Sequence, residues 1–119
     1  MSLFLVLLAA GDSKRFDSNT PKPFYIINNK TLLEHSFNAF SSFIKIKKTI
    51  IVYNKKHKKY LNKIKLKNSI KIAGGKTRQQ STFKALQFIK RMNCKKVLIH
   101  DAARPNSSKK LIGQIINKL

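Results

Sequence analysis

Leu3-Phe4-Leu5-Val6-Leu7-Leu8-Ala9-Ala10-Gly11 is the stretch that decides the fold of this chain. Leu3–Leu8 is apolar without alternation, as in a strand covered on both faces, which is the habit of parallel sheets packed between helices. The run stops at two small residues and a glycine. Small residues at a strand exit let backbone N–H groups approach a ligand's oxygens with no Cβ in the way. Arg15 and Lys22 follow within one loop, residues 9–24, and long loops inside compact domains are usually functional. Two cations beside a backbone cradle suit a polyphosphate. The stretch therefore reads as a nucleoside-triphosphate loop.

Outward from it, helix and strand signals alternate. Thr31-Leu32-Leu33-Glu34 has the capping-box pattern, and Leu33, Phe37 and Phe40 follow at helical spacing. Thr49–Tyr53 reads as a buried strand, about 55–63 as a Lys-rich helix, and Ser69–Ala73 as a short strand ending at Gly74-Gly75. Thr77-Arg78-Gln79-Gln80 repeats the capping-box pattern and opens a helix with Ala85, Phe88, Ile89 and Met92 on one face. Val97–His100 is a further strand. Ser107 or Ser108 caps a last helix bearing Leu111, Ile112, Ile115 and Ile116. This alternation predicts one α/β domain over residues 1–119, with a mostly parallel sheet and right-handed crossovers. Ligands of such sheets bind beyond the carboxyl ends of the strands. The segments beginning at Ala9, Gly74 and Asp101 all start at strand ends, so they are predicted to converge on one edge.

Composition narrows the function classes. Hydrophobic residues are 42% of the 119, which excludes a compositionally disordered chain. The single cysteine, Cys94, excludes an intramolecular disulfide and a Cys-based zinc cluster, and reads as an inert thiol near a helix end. Net charge is +22, from 26 Lys and Arg against four acids, Asp12, Asp17, Glu34 and Asp101. Such a charge suits a polyanion binder. A residue-usage bias toward Lys, Asn and Ile explains it more simply, because lysines are spread along the whole chain and greatly outnumber arginines. The run Lys55-Lys56-His57-Lys58-Lys59 reads as a solvated face. Leu3–Ala10 is too short for a membrane span and lacks a charged leader, so a cytoplasmic location is expected.

Two further segments sharpen the reading. They are Ala73-Gly74-Gly75-Lys76-Thr77-Arg78-Gln79-Gln80-Ser81 and Val97-Leu98-Ile99-His100-Asp101-Ala102-Ala103-Arg104-Pro105. In this order, with the first cluster, they resemble the 2-C-methyl-D-erythritol 4-phosphate cytidylyltransferase family of the non-mevalonate isoprenoid pathway, from Leu3 to about Pro105. His-Asp-Ala-Ala-Arg-Pro is the most family-specific block. The resemblance implies a Rossmann-like three-layer sandwich of the nucleotide-diphospho-sugar transferase type, truncated here, since the family's domain continues past residue 119. It implies CTP as co-substrate, Mg²⁺ as cofactor, methylerythritol phosphate as acceptor, and a homodimer for the full-length domain. It implies no specific nucleic acid or membrane partner, and a portion this short is expected to be inactive alone.

Residue by residue, the resemblance gives Arg15 and Lys22 the catalytic role. Ala9, Ala10 and Gly11 match the nucleotide cradle, and Gly75 and Ser81 match positions that contact cytosine and ribose. Asp101 matches a metal-facing aspartate, Ala102 a position that leaves room for the nucleotide, and Arg104 the arginine that grips the acceptor phosphate. Arg78 lies within reach of a phosphate in the same turn. The chain departs from the family at Asp12-Ser13, where the loop is usually richer in glycine, and at Pro23, usually Gln. His100 reads as a hydrogen-bonded core histidine, because an attacking phosphate is already ionised and needs no base. Two other readings stay open: another sugar- or polyol-phosphate nucleotidyltransferase, and a basic nucleic-acid-binding module.

Overall fold

The computed structural model describes residues 2–11, 19–104 and 109–118. Asp12, Ser13, Arg15, Ser107, Ser108 and the side chain of Leu111 lie outside that description. In chain order the elements are β1 (Leu3–Ala9), β2 (Ile26–Ile27), β3 (Lys30–Thr31), α1 (Leu32–Ser41), β4 (Ile46–Tyr53), α2 (Lys58–Leu61), β5 (Ser69–Ala73), α3 (Arg78–Ile89), β6 (Lys96–Asp101) and α4 (Lys109–Lys118).

Every residue of β1 is buried, as its unbroken apolar run predicts. Leu3, Leu5, Leu7 and Ala9 pack on one face with Leu33, Phe37 and Phe40 of α1 and with Ile112 and Ile116 of α4. Phe4, Val6 and Leu8 pack on the other with Ala85 and Ile89 of α3. Burying a Leu, Ile or Phe side chain contributes about 1.5–3 kcal/mol, so β1 anchors helix, sheet and helix layers together. The sheet order is β5-β4-β1-β6, and all three pairings are parallel. Strands are added outward on one side of β1 and then on the other, which places a topological switch between β1 and β6.

Local signals explain most boundaries. The Thr31 hydroxyl accepts from the Glu34 N–H at 3.1 Å, and the Glu34 carboxylate accepts from the Thr31 N–H at 2.9 Å. The second capping box forms only by half. Thr77 accepts from the Gln80 N–H at 3.1 Å, but the Gln80 side chain accepts from Lys76 N–H at 2.8 Å instead of from Thr77. The loop after Gly75 folds so close to Gln80 that the Lys76 N–H comes within reach.

Four other expectations change. The Lys-rich segment is a 3₁₀ turn, Lys55–His57, followed by the short α2, because like charges four apart oppose a longer helix and no acid relieves them. α3 ends at Ile89, so Met92 falls outside it, and Phe88 is exposed. Ile115 of α4 is likewise exposed, beside the buried Ile112 and Ile116. The sequence reading placed no strand near residue 27, yet β2 and β3 form a hairpin. Asn28 and Asn29 close it with φ of 54° and 69°, the left-handed pair that a two-residue turn requires.

Candidate active site

The strand register sets the site. Ala9 stands opposite Tyr53, Tyr53 opposite Ala73, and Leu8 opposite Asp101. The exits of β1, β4, β5 and β6 therefore lie side by side at the carboxyl edge. They enclose an open cavity of about 1440 Å³, lined from all four exits and from the first turns of α3. The convergence expected from the sequence is present.

Packing holds the exits together. The Gly74 N–H donates to the Tyr53 carbonyl at 2.7 Å, and the Gly75 N–H donates to Ser81 Oγ at 3.0 Å. A Cβ on Gly74 would stand 2.6 Å from Ser81 Oγ and 2.7 Å from the Ala10 Cβ. A Cβ on Gly75 would stand 2.5 Å from the Gln80 Cβ. Neither glycine has positive φ, so the need is for space. Gly11 differs: among the described residues nothing lies within 4 Å of where its Cβ would stand.

Seven cations line the cavity, among them Lys22, Arg78 and Arg104, with Asp101 as the one acid among the described residues. Lys22 opens a 3₁₀ turn, Lys22–Phe24, with Pro21 ahead of it and the buried Pro23 and Phe24 behind. Proline fixes φ at positions that pre-form such a turn, so the Pro23 departure leaves Lys22 on the cavity wall. The Asp101 carboxylate accepts from Arg78 Nε at 3.0 Å, and Arg104 Nε lies 4.0 Å away. Both arginines are well exposed, so the pairs are weak in energy and serve chiefly to orient the carboxylate.

Of the sequence-derived residues, Ala10, Gly11, Lys22, Gly75, Ser81, Asp101 and Arg104 line one cavity. Ala9 and Ala102 do not: both are wholly buried in the core beneath it. Ala102 sits there because its N–H donates to the Leu8 carbonyl at 2.9 Å and its carbonyl accepts from buried Ser36 Oγ at 2.7 Å. Ala103 takes the wall position instead. His100 bonds the Arg104 carbonyl through Nε2 at 2.8 Å and lies against Phe40, ring centroids 5.0 Å apart. Cys94 donates to the Lys96 carbonyl at 3.2 Å. The sequence reading gave no site role to Asn54, Gln80 or Lys76 and took Lys55 and Lys56 as a solvated face, yet all five line the cavity. An Asn directly after a strand, ahead of a basic run, was the available signal for the first.

Among the described residues no three His, Cys, Asp or Glu side chains gather as a metal site. Mg²⁺ commonly takes one or two carboxylates and completes its shell with substrate phosphates and water. One half-exposed carboxylate on a cation-lined wall fits that pattern and no all-protein cage.

Comparison with known proteins agrees with this arrangement. The family model for 2-C-methyl-D-erythritol 4-phosphate cytidylyltransferase, IspD, matches residues 3–119. The bifunctional enzyme IspD/IspF of Pelagibacter ubique is 49% identical over the whole chain, which covers 32% of that protein. The cytidylyltransferase of Wigglesworthia glossinidia brevipalpis is 37% identical over 96% of the chain and 50% of that protein. The solved bifunctional IspDF of Campylobacter jejuni superposes with a TM-score of 0.82 at 32% identity, covering 99% of this chain and 30% of that one. The chain thus spans half or less of the length of these relatives. No helix among the described residues is long and apolar enough to cross a membrane. A parallel sheet with four strand exits at one edge, a cation-lined cavity there, and a family match along nearly the whole chain make this protein a member of the IspD family.

Proposed function

We propose that the chain carries the CTP site for cytidylyl transfer to 2-C-methyl-D-erythritol 4-phosphate. The observation that carries this is the meeting of four strand-exit loops on one cation-lined cavity, in a chain of this family. An oxygen of the acceptor phosphate attacks the α-phosphorus of CTP. A new P–O bond forms, the bond to the β-phosphate bridging oxygen breaks, and pyrophosphate leaves. Both reactants are anions, so the protein's work is alignment and neutralisation of charge. Lys22, on the cavity wall, takes the triphosphate, a role the family resemblance shares with Arg15, Arg104 takes the acceptor phosphate, and the Gly75–Ser81 turn takes the cytidine. Asp101 would hold Mg²⁺, which when bound supplies charge neutralisation on the phosphate oxygens. We place the reaction in the cytoplasm and in a dimer when the whole domain is present.

CTP with Mg²⁺ should raise the melting temperature more than ATP or GTP at the same concentration, because a ligand that binds only the folded state stabilises it. Equal shifts would reduce the site to charge attraction, and no shift at millimolar CTP would remove the reading. A nucleic-acid module would instead bind DNA or RNA with a steep salt dependence.

A further inference from the structure

We propose that Asn54 is a positioning residue that aims the backbone of the nucleotide loop. The inference rests on the CTP reading above and names a residue outside the matched motifs. Asn54 directly follows β4 and lines the cavity. Its Nδ2 donates to the Ala10 carbonyl at 3.2 Å, and its Oδ1 accepts from the Lys56 N–H at 3.0 Å. These two partners determine the amide's orientation: turned over, it would set donor against donor and acceptor against acceptor. One side chain thus ties the exit of β1 to the exit of β4.

The tie has a directional consequence. The peptide joining Ala10 to Gly11 is planar and trans, so its N–H points opposite to its C=O. Holding the Ala10 carbonyl toward Asn54 aims the Gly11 N–H away from Asn54. Among the described residues nothing lies within 4 Å of where a Cβ on Gly11 would stand, so no described side chain crowds this stretch of the cradle. The other flank of Ala10 is set by Gly74, whose missing Cβ would fall 2.7 Å from the Ala10 Cβ. Ala10 is therefore gripped through its carbonyl by β4's exit and through its side chain by β5's exit. An oriented backbone donor at this point serves a phosphate better than a free one, because the ordering is already complete before binding.

Asn54 also caps the 3₁₀ turn at Lys55–His57, a purely structural role. Asp caps as well as Asn but cannot donate. Asn54→Asp therefore separates the roles, with Asn54→Ala removing both. In the full chain, Asn54→Asp should melt within a few degrees of the parent. It should bind CTP with Mg²⁺ about tenfold more weakly by calorimetry, and move the NMR signals of the Ala10 carbonyl carbon and Gly11 amide nitrogen. Asn54→Asp with parental CTP affinity, and only Asn54→Ala impaired, overturns the proposal by reducing Asn54 to a cap. Unmoved Ala10 and Gly11 signals overturn it whether or not CTP binds. If those signals move but neither protein binds CTP, the tie stands and the CTP reading falls.

Discussion

At Asp101, shape and charge can be separated by one substitution. Asn keeps the size and turn chemistry of Asp but loses the charge that would hold a divalent cation. Asp101→Asn should fold normally and need several-fold more Mg²⁺ for the same CTP affinity. A magnesium titration of CTP binding measures this, and superimposable curves would leave Asp101 as a partner of Arg78 and Arg104 only. Gly74 tests packing. Its Cβ would stand well inside contact distance of Ser81 Oγ and the Ala10 Cβ. Overpacking of this kind costs about 1–3 kcal/mol, so Gly74→Ala should lower the urea midpoint by a corresponding amount and weaken CTP binding with it. The sequence showed the glycines but not their reason. The resemblance implied that Gly75 contacts cytosine and ribose, whereas at Gly74 and Gly75 the crowding comes from the protein's own Ser81, Ala10 and Gln80.

At the scale of elements, α1 links the capping chemistry to the site. Removing an N-cap hydroxyl costs about 1 kcal/mol, and Thr31→Ala should lose roughly that in denaturant unfolding. Ser36→Ala should cost about 1–3 kcal/mol, because the Ala102 carbonyl would lose its buried donor. The order of these two losses in parallel unfolding curves checks the assignment. β1 was legible because burial on both faces leaves a continuous apolar run, and α1 because its cap residues stand three apart. β5 was legible to the residue, bounded by the positive-φ Asn68 and by Gly74. The β2–β3 hairpin was not, since two-residue strands carry no periodicity and only the Asn28-Asn29 pair marks them. Which residues line the cavity was legible from strand ends, but how deep each one sits was not. Ala9 and Ala102 belong to the motifs by sequence and to the core by position, because register rather than motif decides which face a residue takes.

Across the whole molecule, charge is the dominant property. A net +22 on 119 residues strains the folded state through self-repulsion. Raising sodium chloride from 20 to 200 mM, on the order of a threefold shortening of the screening length, should raise the melting temperature. A fall would mean that surface ion pairs outweigh the repulsion. β5 and β6 are the two edge strands of the sheet; all residues of β6 are only half-buried, and Phe83, Leu86 and Phe88 of α3 are exposed. The cation-lined cavity has one more consequence, which concerns departure. A wall that, among the described residues, holds seven cations and one acid does not distinguish an arriving triphosphate from a leaving diphosphate. Where transfer occurs, the by-product should linger, so turnover would be governed by egress more than by bond making. Progress curves would then bend early and straighten on addition of inorganic pyrophosphatase, as clearance of the by-product frees the wall for the next round.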